Sequence, residues 1–107
     1  MPAKVSKAFI KMMAGRFATL GDSTRLEIIH CLMKEGEQNV TRLVEATGQS
    51  YQNISKHLRH LREAKILARR KEGLHVFYRL EDPLVERLCE LVCESLATEF
   101  GKERRQK

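Results

Sequence analysis

Cysteine is scarce in this 107-residue chain, and its three copies are odd in number, which argues against a disulfide scaffold. No apolar run approaches the length that crosses a bilayer, so no membrane partner is expected. The stretch KAFIKMMAGRFATL interrupts its apolar residues with Lys11 and Arg16, unlike the continuous apolar segment of a secretory signal. The acid-free start MPAKVSKAFIKMMAGR has a transit-peptide-like composition, yet its apolar pattern runs on into the domain and reads as structure. The chain has no glycine-rich phosphate loop, no nucleophile elbow and no framed pair of carboxylates. Neither an enzyme nor a cofactor is expected. Repeats, low-complexity segments and an interdomain linker are also missing. These absences leave one domain over residues 1–107, with room for a modest core but not for a buried two-layer catalytic cleft. A cytoplasmic location with reduced thiols is the expectation.

What the chain has in excess is positive charge. Lysine and arginine number 20 against 14 acidic residues, for a formal charge of +6 and a pI near 9.5. Such an excess suits a polyanion, with nucleic acid ahead of an anionic membrane surface. An apolar content of 42% is that of an ordinary globular protein.

The spacing of apolar residues sets out the elements. Val5, Ala8, Phe9, Met12, Met13, Phe17 and Leu20 recur at helical steps and predict a first amphipathic helix. Asp22 can cap a second helix, whose core side is Leu26, Ile28, Ile29 and Leu32. KEGEQN reads as a turn, followed by a short helix with Val40, Leu43 and Val44 that ends at Gly48. A fourth helix runs over about 50–64, with Tyr51, Ile54, Leu58 and Leu61 as its inner stripe. The period then changes. ILARRK and HVFYRL are strand-like runs joined by EGL, giving a hairpin over about 66–80 with Gly73 at its turn. Asp82-Pro83 opens a last helix over about 83–99, and the tail GKERRQK should be loose.

A short helix, a glycine turn and a polar-faced helix make a helix-turn-helix, and the basic hairpin after it makes a wing. The predicted fold is mainly α with a small β-hairpin, a winged helix-turn-helix of order α-α-α-α-β-β-α. The outer face of the fourth helix carries the chemistry of major-groove readout. Gln52 and Asn53 can each pair with an adenine edge, and Ser50 or Ser55 can reach a base or phosphate. Lys56, Arg59 and Arg62 suit phosphates, as do Arg69, Arg70, Lys71 and His75 of the wing.

Two stretches resemble the ArsR/SmtB repressors: GDSTRLEIIHCL in the second helix, and NISKHLRHLREAKILARRKEGLHVFYRL across the fourth helix and wing. The resemblance covers roughly residues 8–96. Isoleucine replaces the usual valine before Ser55, and Lys65 stands where most members have glycine. It implies an obligate homodimer built from the first and last helices, which represses promoters and lets go when an inducer binds. The residues point to a dimer independently. Leu84, Val85, Leu88, Cys89, Leu91, Val92, Cys93 and Leu96 occupy more than the single stripe a terminal helix needs, and Phe9, Met12, Met13 and Phe17 oversupply the first helix. Phe9, Met12, Met13, Leu88 and Val92 are the expected dimer contacts. Twofold symmetry would bring two reading helices to one side, matching a palindromic operator in double-stranded DNA.

The family's metal ligands do not carry over. Asn39 and Thr41 stand where metal-sensing members have third-helix thiolates, and neutral amide and hydroxyl groups are poor ligands for soft cations. Leu84, Ser95 and Thr98 occupy positions of the last-helix zinc site, so no metal is expected. Persulfide-responsive members pair a second-helix cysteine with a late one. His30 and Ala97 stand at those positions here, with Cys31 one residue and Cys93 one turn away. Cys31 reads as a core residue. Cys89 and Cys93, one turn apart, keep two readings: a thiol sensor for a soft ion or oxidant, or small apolar residues packed in a seam. A winged helix used for protein or RNA contacts is the alternative to operator binding.

Overall fold

Side-chain caps open every helix among the described residues. In the computed structural model, which describes residues 5–101, the order is α1 (Lys7–Leu20), α2 (Ser23–Glu35), β1 (Gln38–Asn39), α3 (Val40–Thr47), α4 (Tyr51–Glu63), β2 (Leu67–Glu72), β3 (His75–Leu80) and α5 (Pro83–Glu99). Ser6, Asp22, Asn39, Ser50 and Asp82 each accept a backbone N–H from the first turn that follows. Pro83 then takes a place where no donor is lost. Of the expected loose tail GKERRQK, residues 102–107 lie outside the described residues, as do residues 1–4.

Three short strands form one antiparallel sheet in the order β1-β3-β2. The wing pairs Leu67 with Leu80 through to Glu72 with His75, and Gly73 turns the chain at φ +61°. β1 is an addition to the predicted order. Gln38 and Asn39, expected within a turn, pair with Tyr78 and Phe77. Two residues are too few to show alternation, so the strand has no signature in the sequence.

The core gathers Ile28, Ile29 and Leu32 from α2, Leu43 from α3, and Ile54, Leu58 and Leu61 from α4. Ile66, Leu67, Tyr78 and Val85 close it from the sheet side and from α5. Cys31 is buried among them, as expected. Two expected inner residues are not in the core. Leu26 is 41% exposed because it faces the cleft between α2 and α5 and not the sheet. Tyr51 is 62% exposed. It lies on the first turn of α4, beyond the layer that covers Leu58 and Leu61 at a neighbouring wheel position.

The terminal helices lie to the side of this core. α1 buries only Leu20, and α5 only Val85. The radius of gyration is 15.8 Å, against about 13 Å for a compact chain of this length.

Candidate nucleic-acid interface and thiol cleft

The helix-turn-helix is set by two bends. Gly48 ends α3 in the left-handed region, at φ +71°, and Ser50 caps α4 two residues later with its Oγ 3.1 Å from the Asn53 nitrogen. The outer face of α4 therefore starts abruptly. Tyr51, Gln52, Ser55, Lys56 and Arg59 line a shallow cleft of about 280 Å³ there. Gln52, Lys56 and Arg59 are exposed, and Ser55 is half-buried. Asn53 is half-buried, and its Nδ2 donates to Gln49 Oε1 at 2.8 Å. Arg62 is half-buried, with its Nε enclosed and without a partner among the described residues.

The wing carries Arg69, Lys71 and His75 in exposed positions. Arg70 is engaged differently. Its guanidinium pairs with Glu72, donates to Glu37 Oε1 at 2.7 Å, and lies 4.8 Å over the Phe77 ring. The two carboxylates raise the Arg70 pKa above the ordinary value, Glu72 first, and offset its charge locally. A phosphate would compete with both for this side chain.

Cys89 is half-buried and Cys93 exposed, and both line two clefts. One, about 540 Å³, is apolar and includes Phe17, Leu26, Val92, Leu96 and Phe100. The other, about 400 Å³, includes His30, Met33, Glu90 and Glu94. Burial pushes the Cys89 thiol above its usual range, which disfavours the reactive thiolate. Burial does the same to Cys31, with Glu35 adding to it. Among the described residues no three His, Cys, Asp or Glu side chains lie close enough to hold a metal ion. His30 faces the Cys89–Cys93 cleft, a neighbour that spacing along the chain does not reveal.

Of the expected dimer contacts, Phe9, Met12 and Val92 are 43%, 71% and 51% exposed, while Met13 and Leu88 are half-buried. Arg16 ties α1 to α5 through a 3.2 Å contact with Asp82. Sequence reasoning missed two groups near the reading face. Tyr51 was expected inside. Arg25, whose guanidinium reaches α4, gives no signal in a helical pattern because its partners are 32 and 35 residues away.

Known proteins are similar to this chain in sequence and fold. The family described as "Bacterial regulatory protein, arsR family" matches residues 22–68. The HTH-type transcriptional regulator KmtR of Mycobacterium tuberculosis is 36% identical over 67% of this chain, a match that spans only 55% of that protein. The arsenical resistance operon repressor of Escherichia coli is 39% identical over 80% of this chain and 74% of its own length. A homodimeric winged helix-turn-helix DNA-binding domain from Mycobacterium bovis matches with a TM-score of 0.74 at 27% identity, covering 97% of this chain and 95% of that one. The matched span runs from the Asp22 cap through α4 into the wing, and the chain belongs to the ArsR family of winged helix-turn-helix transcriptional regulators.

Proposed function

We propose that this chain acts as a single-domain homodimeric repressor in the cytoplasm, not as a catalyst, and holds a palindromic operator until an inducer releases it. The observation that carries the reading is the pairing of a polar cleft on α4 with a basic wing, beside two terminal helices whose apolar faces are open. Gln52 is placed to read a base edge, and Tyr51 to pack against one. Ser50, Ser55, Lys56, Arg59 and Arg62 follow the backbone from α4, with Arg69, Lys71 and His75 from the wing. Asn53 keeps its Oδ1 and one Nδ2 proton for a base edge while it is held by Gln49, and at Arg70 a phosphate competes with two carboxylates. Phe9, Met12, Met13, Leu88 and Val92 form the contact with a second copy. Cys89 and Cys93 are the point at which a thiol-reactive inducer acts.

The test starts with a random duplex library. The wild-type dimer should select a palindrome with half-sites about one helical turn, or a small multiple of it, apart. Its affinity for that palindrome should fall steeply with salt. Equal affinity for selected and random duplex would overturn operator reading, and tight binding to RNA or to a protein instead would favour the alternative. Replacing Cys89 and Cys93 together by serine should leave DNA affinity intact and abolish release by a soft cation or mild oxidant. If release persists in the double variant, the thiols only pack.

A further inference from the structure

Arg25 stands where three helices meet. It lies in the first turn of α2, and its guanidinium has three partners. One amino nitrogen donates to the Thr19 carbonyl near the end of α1 at 3.2 Å. Nε donates to Nδ1 of His57 at 3.2 Å, and the second amino nitrogen lies 3.3 Å from Nδ1 of His60. His57 and His60 are three apart on α4, so one planar fork meets both rings. The residue is fixed from behind as well, since its backbone N–H is held by Asp22 Oδ1 at 3.0 Å.

This junction joins parts with different tasks. α1 buries one residue against its own domain and leaves apolar side chains open, whereas α4 carries the reading face. Few contacts tie the two together. Both histidine contacts also have a chemical condition. A guanidinium only donates, so an imidazole nitrogen can join it only when unprotonated.

We propose that Arg25 is a positioning residue for DNA reading: it fixes α4 relative to α1, sets the spacing of the two reading helices in the dimer, and does so only while His57 is neutral. The inference rests on the operator-binding dimer described above. The groups acting on His57 are Asp22 and Arg25 from the α2 side and Lys56 and His60 from its own helix. Burial is the largest influence and holds His57 below the usual histidine range. Arg25, Lys56 and His60 add to it, and Asp22 opposes it. The neutral ring is therefore the resting form above about pH 6.5, and the contact is lost as pH falls through the lower folded value. Protonation near a polyanion also strengthens binding to any duplex. The informative quantity is thus the ratio of affinities for the selected palindrome and a random duplex of equal length.

Three proteins decide it, each confirmed as a dimer by sedimentation and measured from about pH 5.5 to pH 8. In the wild type the ratio should fall as the solution is acidified. Arg25→Gln should lower the ratio at pH 8, by up to about tenfold if the whole contribution of one contact to a charged group is felt in the reading geometry. Replacing His57 and His60 by asparagine puts an amide oxygen close to where each Nδ1 stands, and it cannot titrate. That variant should keep the wild-type ratio at pH 8 and hold it level on acidification. A wild-type ratio in Arg25→Gln, or parallel pH profiles in the wild type and the asparagine variant, would overturn the inference. If Arg25→Gln does not fold, the asparagine profile alone decides. A wild type with no preference at any pH would sink the operator reading itself, which is a separate failure.

Discussion

α4 and α5 begin alike and use their apolar residues differently. Each starts at a side-chain cap, Ser50 or Asp82. In 13 residues α4 buries Ile54, Leu58 and Leu61 completely. In 17 residues α5 buries Val85 and leaves Leu84, Leu91, Val92 and Leu96 between 47% and 69% exposed. Full burial of such a side chain contributes about 1.5–3 kcal/mol, so the roughly half or more still open on each of four is a sizeable unused sum for a small domain. One helix completes its own core. The other leaves an apolar face open, as the proposed dimer requires, and α1, with Phe9, Met12 and Phe17 open, does the same.

The largest expected effect tests that division. Leu58→Ala should lower the unfolding free energy by about 2–5 kcal/mol, and by the same amount at every protein concentration. Leu91→Ala should change the stability of the isolated chain little and instead lower the urea midpoint only at concentrations where the wild type is dimeric, because it weakens association. Val92→Glu should go further and give a folded monomer by sedimentation. Equal, concentration-independent losses for Leu58→Ala and Leu91→Ala would erase the distinction between the two helices.

Within the reading half, the same comparison separates side chains that are open from those already engaged. Gln52→Ala should cost about 1–3 kcal/mol on the selected palindrome, concentrated at particular base pairs. Asn53→Ala should cost less, because Asn53 is half-buried and lies outside the cleft that Gln52 lines. In the wing, Lys71→Ala should reduce the slope of log affinity against log salt by about 1. Arg70→Ala should reduce it less, since Glu37 and Glu72 already offset that charge. Arg70 and Lys71 with equal slopes would show that DNA pulls Arg70 out of its ion pairs.

How much of this could be read from residues alone depends on the range of the forces involved. Caps and turns are local, so Asp22, Gly48, Gly73 and Asp82-Pro83 announced their elements correctly. The 3.6-residue period located α4 and the surplus on α5, because a stripe reports burial wherever a neighbour covers it. It failed at Tyr51 and Leu26, where the stripe continues past the neighbour's edge. It could not show β1, whose two residues depend on β3 some 40 positions away. Nor could it show that Arg70 would meet Glu37, or Arg25 the rings of His57 and His60. Charge patterns say that a cation is present, and only the fold says what it is spent on.

The smallest expected effect lies at the seam between α4 and the wing. Lys65 adopts φ +62°, a left-handed conformation in which a side chain is strained. The cap geometry enforces it. Lys65 N–H donates to the Arg62 carbonyl at 2.9 Å and Ile66 N–H to the Leu61 carbonyl at 3.0 Å, the paired bonds of a Schellman motif. Ile66, fully buried, anchors the residue that follows, so the backbone cannot relax out of the turn. Glycine would remove the strain, at the cost of a more flexible unfolded chain. The second effect offsets only part of the first, and Lys65→Gly should raise the unfolding free energy by about 0.5–1 kcal/mol. Lys65→Ala keeps the Cβ and should gain nothing. The gain belongs to the reading half, so it should be the same at low and high protein concentration, unlike any change on α5. Urea midpoints for both variants at two concentrations check this, and a Lys65→Gly chain no more stable than Lys65→Ala would show that the turn is not strained.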